Sequence, residues 1–216
     1  MITIVDYGMG NLRSVSNALR LLGAPSRISS KPEDVDSADK LILPGVGAFG
    51  AAMRELESRG LAKPVEEFAK KAKESGKPFL GICLGLQLLF DRSEEGGEVK
   101  GLGVLPGSVT RFPEPSQQNP QSRELKVPHM GWNQAKRTRS PEPHKFSDGI
   151  ADGSYFYFVH SYYAEPKNAT NIAMETGYGD ISFPSVIESG SLVATQFHPE
   201  KSQAAGLALL KRFAAA

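Results

Sequence analysis

Apolar residues recur at two alternating periods through the first half of the chain. Residues 2–6 form a short apolar run that reads as a buried strand. Leu12, Val15, Leu19 and Leu22 then fall at helical spacing, and Gly23 is the stop. Further strands are expected at 25–28, at 40–43 before Pro44, and at 79–82. A helix is expected at 48–59, ended by Gly60. Val65, Phe68, Ala69 and Ala72 mark another, with Gly76 just past its end, and 84–91 reads as a third. Repeated strand–helix–strand units predict a parallel sheet covered on both faces.

The pattern changes in the second half. Strands are expected at 104–112, 127–136, 155–164, 171–175, 185–188 and 192–197, with Ser189 and Gly190 turning a hairpin between the last two. Strands in direct succession suggest antiparallel pairing. Ser202 is placed to cap a final helix whose apolar side holds Leu207, Leu210 and Phe213. The stretches 113–123 and 138–148 read as Pro- and polar-rich loops. Neither an internal repeat nor a linker appears. A length of 216 residues fits one domain over 1–216, because a single core grows to roughly 250 residues before chains split. The fold class expected is α/β: a mixed, mostly parallel central sheet with helices on both faces plus additional antiparallel strands.

Composition narrows the partners. Lys+Arg is 25 against 24 Asp+Glu, so there is no global field to hold nucleic acid or an anionic membrane. The single cysteine, Cys83, excludes an internal disulfide and a cysteine zinc cluster. No two of His129, His144, His160 and His198 sit three to five residues apart, so no zinc hairpin is expected. The reading is of a protein without metal or cofactor. Asp6 cuts the first apolar run too early for a signal peptide. The longest uncharged, mostly apolar stretch, 78–90, falls short of the roughly 18 residues of a membrane span. A cytoplasmic location is expected.

Three motifs carry candidate chemistry. Gly81-Ile82-Cys83-Leu84-Gly85 lies where an apolar strand meets a helix, in the form of a nucleophile elbow with cysteine at the bend. The positive end of a helix there would favour a thiolate. The plainer alternative is a small buried core cysteine. His198-Pro199-Glu200 ends the last strand. Proline pushes His198 toward an extended conformation, in which side chains two apart share a face. His198 as base and Glu200 as its orienter would then meet one site; a solvated His and Glu is the alternative. Gly45, Gly47 and Gly50 spell the dinucleotide pattern G-x-G-x-x-G. The acid that pattern requires at the end of the next strand is missing. The competing use is an oxyanion hole: glycines flanking Val46 free its peptide to aim an N–H, and Leu84 N–H supplies the second donor.

Gly81-Ile82-Cys83-Leu84-Gly85-Leu86-Gln87 and His198-Pro199-Glu200 together resemble the class I (triad) glutamine amidotransferases. So do Asp6-Tyr7-Gly8-Met9-Gly10-Asn11, Pro44-Gly45-Val46-Gly47, Pro128-His129-Met130-Gly131-Trp132-Asn133 and Phe158-Val159-His160-Ser161-Tyr162. These narrow the resemblance to a glutaminase subunit of histidine biosynthesis. Anthranilate- and guanylate-type relatives usually carry histidine where this chain has Leu86, and the pyridoxal phosphate glutaminase usually lacks the glutamine at Gln87.

The resemblance implies catalytic Cys83, His198 and Glu200, and an oxyanion hole at Val46, Gly47 and Leu84. Gly45, Gln87, Ser161 and Tyr162 would bind L-glutamine, which is hydrolysed through a glutamyl thioester. The partner implied is a (β/α)8-barrel cyclase that consumes the ammonia in a heterodimer. Asn11, Trp132 and Lys201 would face it. Read alone, Asn11 is a helix cap, Trp132 a core residue and Lys201 a solvated charge. Three rivals remain: a glutaminase for another acceptor, a cysteine hydrolase on a similar elbow, and a silent scaffolding subunit.

Overall fold

The structure, a computed structural model, describes residues 1–74, 76–113, 126–139 and 144–216. Of the loops expected at 113–123 and 138–148, residues 114–123 and 140–143 lie outside that set. The first half runs β1 (Ile2–Val5), α1 (Leu12–Leu21), β2 (Ser26–Ser29), α2 (Pro32–Asp36), β3 (Lys40–Gly45), α3 (Phe49–Ser58), α4 (Ala62–Lys73), β4 (Phe79–Cys83) and α5 (Leu84–Gln87). The strands β5 (Phe90–Ser93), β6 (Val99–Lys100), β7 (Leu105–Arg111), β8 (His129–Arg137), β9 (Ser154–His160) and β10 (Tyr162–Pro166) follow. The chain ends with β11 (Ile172–Tyr178), β12 (Ile181–Ser189), β13 (Leu192–Thr195) and α6 (Gln203–Ala215).

Nine strands form one mixed sheet in the order β2-β1-β3-β4-β13-β12-β11-β8-β9. Pairing is parallel from β2 to β13 and antiparallel from β13 to β9. The parallel strands are apolar on both faces because both are covered. Ile2, Ile4, Ile42, Leu80 and Ile82 pack with Val15 and Leu19 of α1 and Leu209, Leu210 and Phe213 of α6. Val5, Leu41, Leu43 and Phe79 point the other way, toward Phe49 and Leu56 of α3 and Val65 and Ala72 of α4. Each fully buried aliphatic or aromatic side chain contributes about 1.5–3 kcal/mol, so these two layers fix where β4 ends. A second sheet, β10-β7-β5-β6, lies beyond α5.

Several expectations are corrected. The helix at 84–91 is one turn, Leu84–Gln87; Phe90 already belongs to β5, which pairs with β6 and β7. The strand at 155–164 is two strands broken at Ser161. β9 pairs with β8 in the large sheet and β10 with β7 in the small one. The short helix α2, opened by Pro32, and the strands β5 and β6 were not anticipated from the pattern. Ser202 stands at the start of α6 but does not cap it with its side chain. Its hydroxyl donates to His198 O at 2.6 Å and accepts from Tyr157 N at 3.0 Å, tying the end of the His198 loop to β9.

Candidate active site

Strand β4 delivers Cys83 to the centre of the sheet, between β3 and β13. Its backbone sits at φ 53°, ψ −107°, in a region that residues with a Cβ rarely adopt. That strain is the elbow: it lifts the side chain out of the sheet while the next residue, Leu84, starts α5. The turn is tight enough that a Cβ on Gly85 would collide with the Leu43 carbonyl oxygen of β3. With only four residues, α5 carries little macrodipole, so the helix-end charge expected from the sequence is replaced by nearer groups.

His198 is the first of those groups. Its Nδ1 lies 2.9 Å from Glu200 Oε1, with the two side chains 2% and 1% exposed. The pair meets as expected: His198 is extended, at φ −95° and ψ 98°, but Pro199–Lys201 then forms a turn of 3-10 helix, so the two side chains meet across a turn. Burial pulls the His198 pKa down. The interaction with Cys83, then that with Glu200, overcomes burial and raises it to about 10. The imidazole is thus a cation between sulfur and carboxylate, and its Nε2 is buried without a hydrogen-bond partner.

In front of Cys83 lies a cavity of about 400 Å³ lined by Val46, Gly47, Leu84, Gln87, Glu95, Pro128, Val159, His160, Ser161 and Tyr162. Gly45 pairs directly with Cys83 across β3–β4, so the Val46–Gly47 loop begins beside the sulfur. Gly47 sits at φ +108°, which favours glycine. Val46 is exposed. Gln87 is buried, and its amide nitrogen is engaged by Tyr162 O at 2.8 Å and Gln196 Oε1 at 3.1 Å. A depression of about 470 Å³ near Asp36, Pro64, Phe68 and Lys71 is lined by neither Cys83 nor His198.

Three neighbours were not singled out from the sequence. Gln196, fully buried, donates to Cys83 Sγ at 3.7 Å; its place two residues before His198 was the available signal. Glu95 accepts from Phe49 N at 2.7 Å and so caps α3, directly after the Val46 loop. Tyr7, whose hydroxyl a side chain at Gly45 would strike, is buried without a partner for its oxygen. Burial, then the nearby Cys83, pushes its pKa up. Nothing local in the sequence links Glu95 or Tyr7 to Cys83.

Asn11, Trp132 and Lys201 stand outside the cavity. Asn11 caps α1, its side chain accepting from Ser14 N at 3.3 Å. Trp132 is 47% exposed on β8, so it is not a core residue. Its ring meets Tyr157 of β9 edge-on at 6.2 Å, and Lys201 Nζ lies 5.7 Å over the same tyrosine.

The profile of the family described as Glutamine amidotransferase class-I matches residues 3–216, and the chain belongs to that family. It is 49% identical over 216 residues to the imidazole glycerol phosphate synthase subunit HisH of Rhodopirellula baltica, covering 100% of this chain and 98% of that protein. It is 49% identical over 213 residues to the HisH subunit of Syntrophotalea carbinolica, covering 99% and 98%. Identity of about one half over the full length places it among the HisH-type glutamine amidotransferases of histidine biosynthesis. The fold agrees: a crystal structure of a glutamine amidotransferase superposes with a TM-score of 0.71 at 19% identity, over 100% of both chains. The structure of PurLQS from Thermotoga maritima gives 0.68 at 18%, over 98% of this chain and 96% of that one.

Proposed function

We propose that the chain hydrolyses L-glutamine at Cys83 and hands the ammonia to a separate (β/α)8-barrel cyclase, in the cytoplasm. The observation that carries this reading is the strained Cys83 elbow, opening on a 400 Å³ cavity and backed by the buried His198–Glu200 pair. His198 already holds the proton as an imidazolium when Sγ attacks the side-chain amide carbon. Negative charge grows on the amide oxygen, and the N–H of Leu84 and an N–H of the Val46–Gly47 loop are the donors assigned to it, a reading supported by Leu84, Val46 and Gly47 lining the cavity. Collapse breaks the C–N bond, and His198 gives that proton to the departing ammonia. Water then attacks the thioester, giving glutamate and restoring the thiolate.

The remaining lining residues fit glutamine's charged end. Because the amide nitrogen of Gln87 is spent on Tyr162 O and Gln196, its carbonyl oxygen is the group left to accept from the substrate ammonium. Ser161 and Tyr162 line the same cavity as Cys83. The row Trp132, Tyr157 and Lys201 supplies an exposed aromatic and cationic face for the cyclase.

The decisive experiment is Cys83→Ala in the complex with the cyclase. Glutamine-dependent synthesis should vanish, while synthesis from added ammonium salts should persist. Glutamate release within tenfold of the unmodified protein would reject the assignment.

A further inference from the structure

A run of hydrogen bonds crosses the protein beneath the cavity, and every proton in it has one place. Tyr162 O can only accept, so His160 Nδ1, 2.9 Å away, carries a proton. Burial, assisted by His129 and His198 and opposed by that hydrogen bond, lowers the His160 pKa to about 3, so the ring is neutral and its Nε2 accepts. The atom facing it at 3.0 Å, His129 Nδ1, must therefore donate. Burial lowers the His129 pKa to about 4, so His129 is neutral too and its Nε2 accepts from Asn133 Nδ2 at 3.2 Å. Asn133 gives its other amide proton to Gly177 O at 2.9 Å.

On its other side the run reaches the sulfur. Tyr162 O also accepts from Gln87 Nε2, which donates to Gln196 Oε1, and Gln196 Nε2 donates to Cys83 Sγ. All four side chains, His129, His160, Gln87 and Gln196, are buried. Phe158, Tyr178 and Phe183 pack around the His129 ring at 4.1–5.7 Å. Apolar rings would fill that space with less desolvation, since each buried polar group costs unless paired. Two neutral histidines linked in sequence give instead a donor of fixed direction at the end of the run.

Building on the glutaminase reading, we infer that His129 is a positioning residue and that Gln196 orients both Gln87 and the nucleophilic sulfur. Through His160, His129 fixes the Tyr162 carbonyl and so the Gln87 amide, while Gln196 fixes Gln87 and the Cys83 sulfur. His129 touches none of the reacting atoms, whereas Gln196 reaches the sulfur through one amide N–H; what both set is the shape in which glutamine is met.

The test is steady-state glutaminase activity of the cyclase complex carrying His129→Phe or His129→Gln. Phe keeps the ring packing and removes both nitrogens. It should raise KM for glutamine roughly tenfold, the effect of losing one or two buried hydrogen bonds, and leave ammonium-dependent synthesis unchanged. Gln presents one donor and one acceptor and should recover most of the loss. A folded Phe variant with KM within twofold of the unmodified protein would overturn the inference, as would a Gln variant no better than Phe. If Phe at 129 does not fold, Gln196→Met takes its place with the same expected KM rise and the same overturning result. Alkylation of Cys83 by iodoacetamide separates this inference from the proposed function. If the unmodified complex releases no glutamate, that function fails. The alkylation pH profile of Gln196→Met then decides the positioning role: a shift to higher pH supports it, and an unchanged profile rejects it.

Discussion

The Nδ1 of His198 lies 2.9 Å from Oε1 of Glu200, with both side chains almost sealed from solvent. Sealing alone would strip the imidazole of its proton. The raised pKa, about 10 against an ordinary 6.5, therefore reports how strongly Cys83 and Glu200 oppose burial. The sign follows from the folded value lying above the unfolded one. Protonated His198 contributes stability that is full below about pH 6.5 and is lost as pH rises through about 10. An NMR titration of the His198 ring should show a midpoint well above neutrality. Cys83→Ala removes the largest raising interaction and should bring that midpoint down. An unchanged midpoint would mean that the sulfur does not hold the imidazolium.

The same pair divides into unequal roles. His198 delivers a proton to the leaving group, whereas Glu200 only holds and polarises the ring. His198→Ala should thus cost more turnover than Glu200→Ala. Single-turnover assays with saturating glutamine measure both, and equal, small losses would remove the pair from the mechanism.

What the sequence made legible is what short-range chemistry dictates. The Cys83 elbow was readable because an apolar strand, two glycines and a helix start are adjacent in the chain. His198 and Glu200 were readable as partners, and His198 is extended as Pro199 implies, but the 3-10 turn that begins at Pro199 was not readable. The break at Ser161 was not readable. Residues on either side are equally strand-like, and only long-range pairing sends β9 to β8 and β10 to β7. The end of α5 after Gln87 has the same cause. Leu88 and Leu89 remain apolar at helical spacing, but their carbonyls are claimed by Leu102 N and Val104 N, in the connection between β6 and β7. The Gln196–Sγ contact needs β4 and β13 to be neighbours, which no local pattern states.

The Val46 loop should govern how active the chain is without its partner. Val46 is 40% exposed, Gly47 sits at φ +108°, and a Cβ there would approach Met9 Cε to 2.7 Å. Gly47→Ala is strained in this backbone and crowded by Met9, so it should impair whichever peptide orientation the reaction requires. One missing oxyanion donor is worth about 10² to 10³ in rate. The isolated chain should accordingly turn glutamine over slowly and accelerate by that order when the cyclase, loaded with a substrate analogue, is added. Full activity of the isolated chain would show that the loop is already set. Gly47→Ala should abolish the acceleration while leaving complex formation intact, as read by titration calorimetry.

Trp132 should matter for binding and hardly at all for folding. Nearly half of the side chain is open to solvent, and its visible contact is the edge of Tyr157, itself covered by Lys201 Nζ. Truncation to alanine leaves no cavity in either core layer, so the melting temperature of the isolated chain should stay within a degree or two. In a protein–protein contact, an aromatic anchor of this size often carries ~2 kcal/mol or more, which is roughly a thirtyfold weaker complex. Lys201→Ala removes a charge over the tyrosine face at an exposed site, where such an interaction is worth about 0.5–1 kcal/mol. It should leave affinity within a few fold. Asn11→Ala acts through the α1 cap, at a cost of about 1 kcal/mol in the stability of the chain. Titrating the three variants against the cyclase, with glutamate and acceptor product counted in parallel, separates anchor from cap from signal. A Trp132→Ala chain that binds as tightly as the unmodified protein would show that the cyclase docks elsewhere, because the exposed position of the ring leaves it no structural role to fall back on.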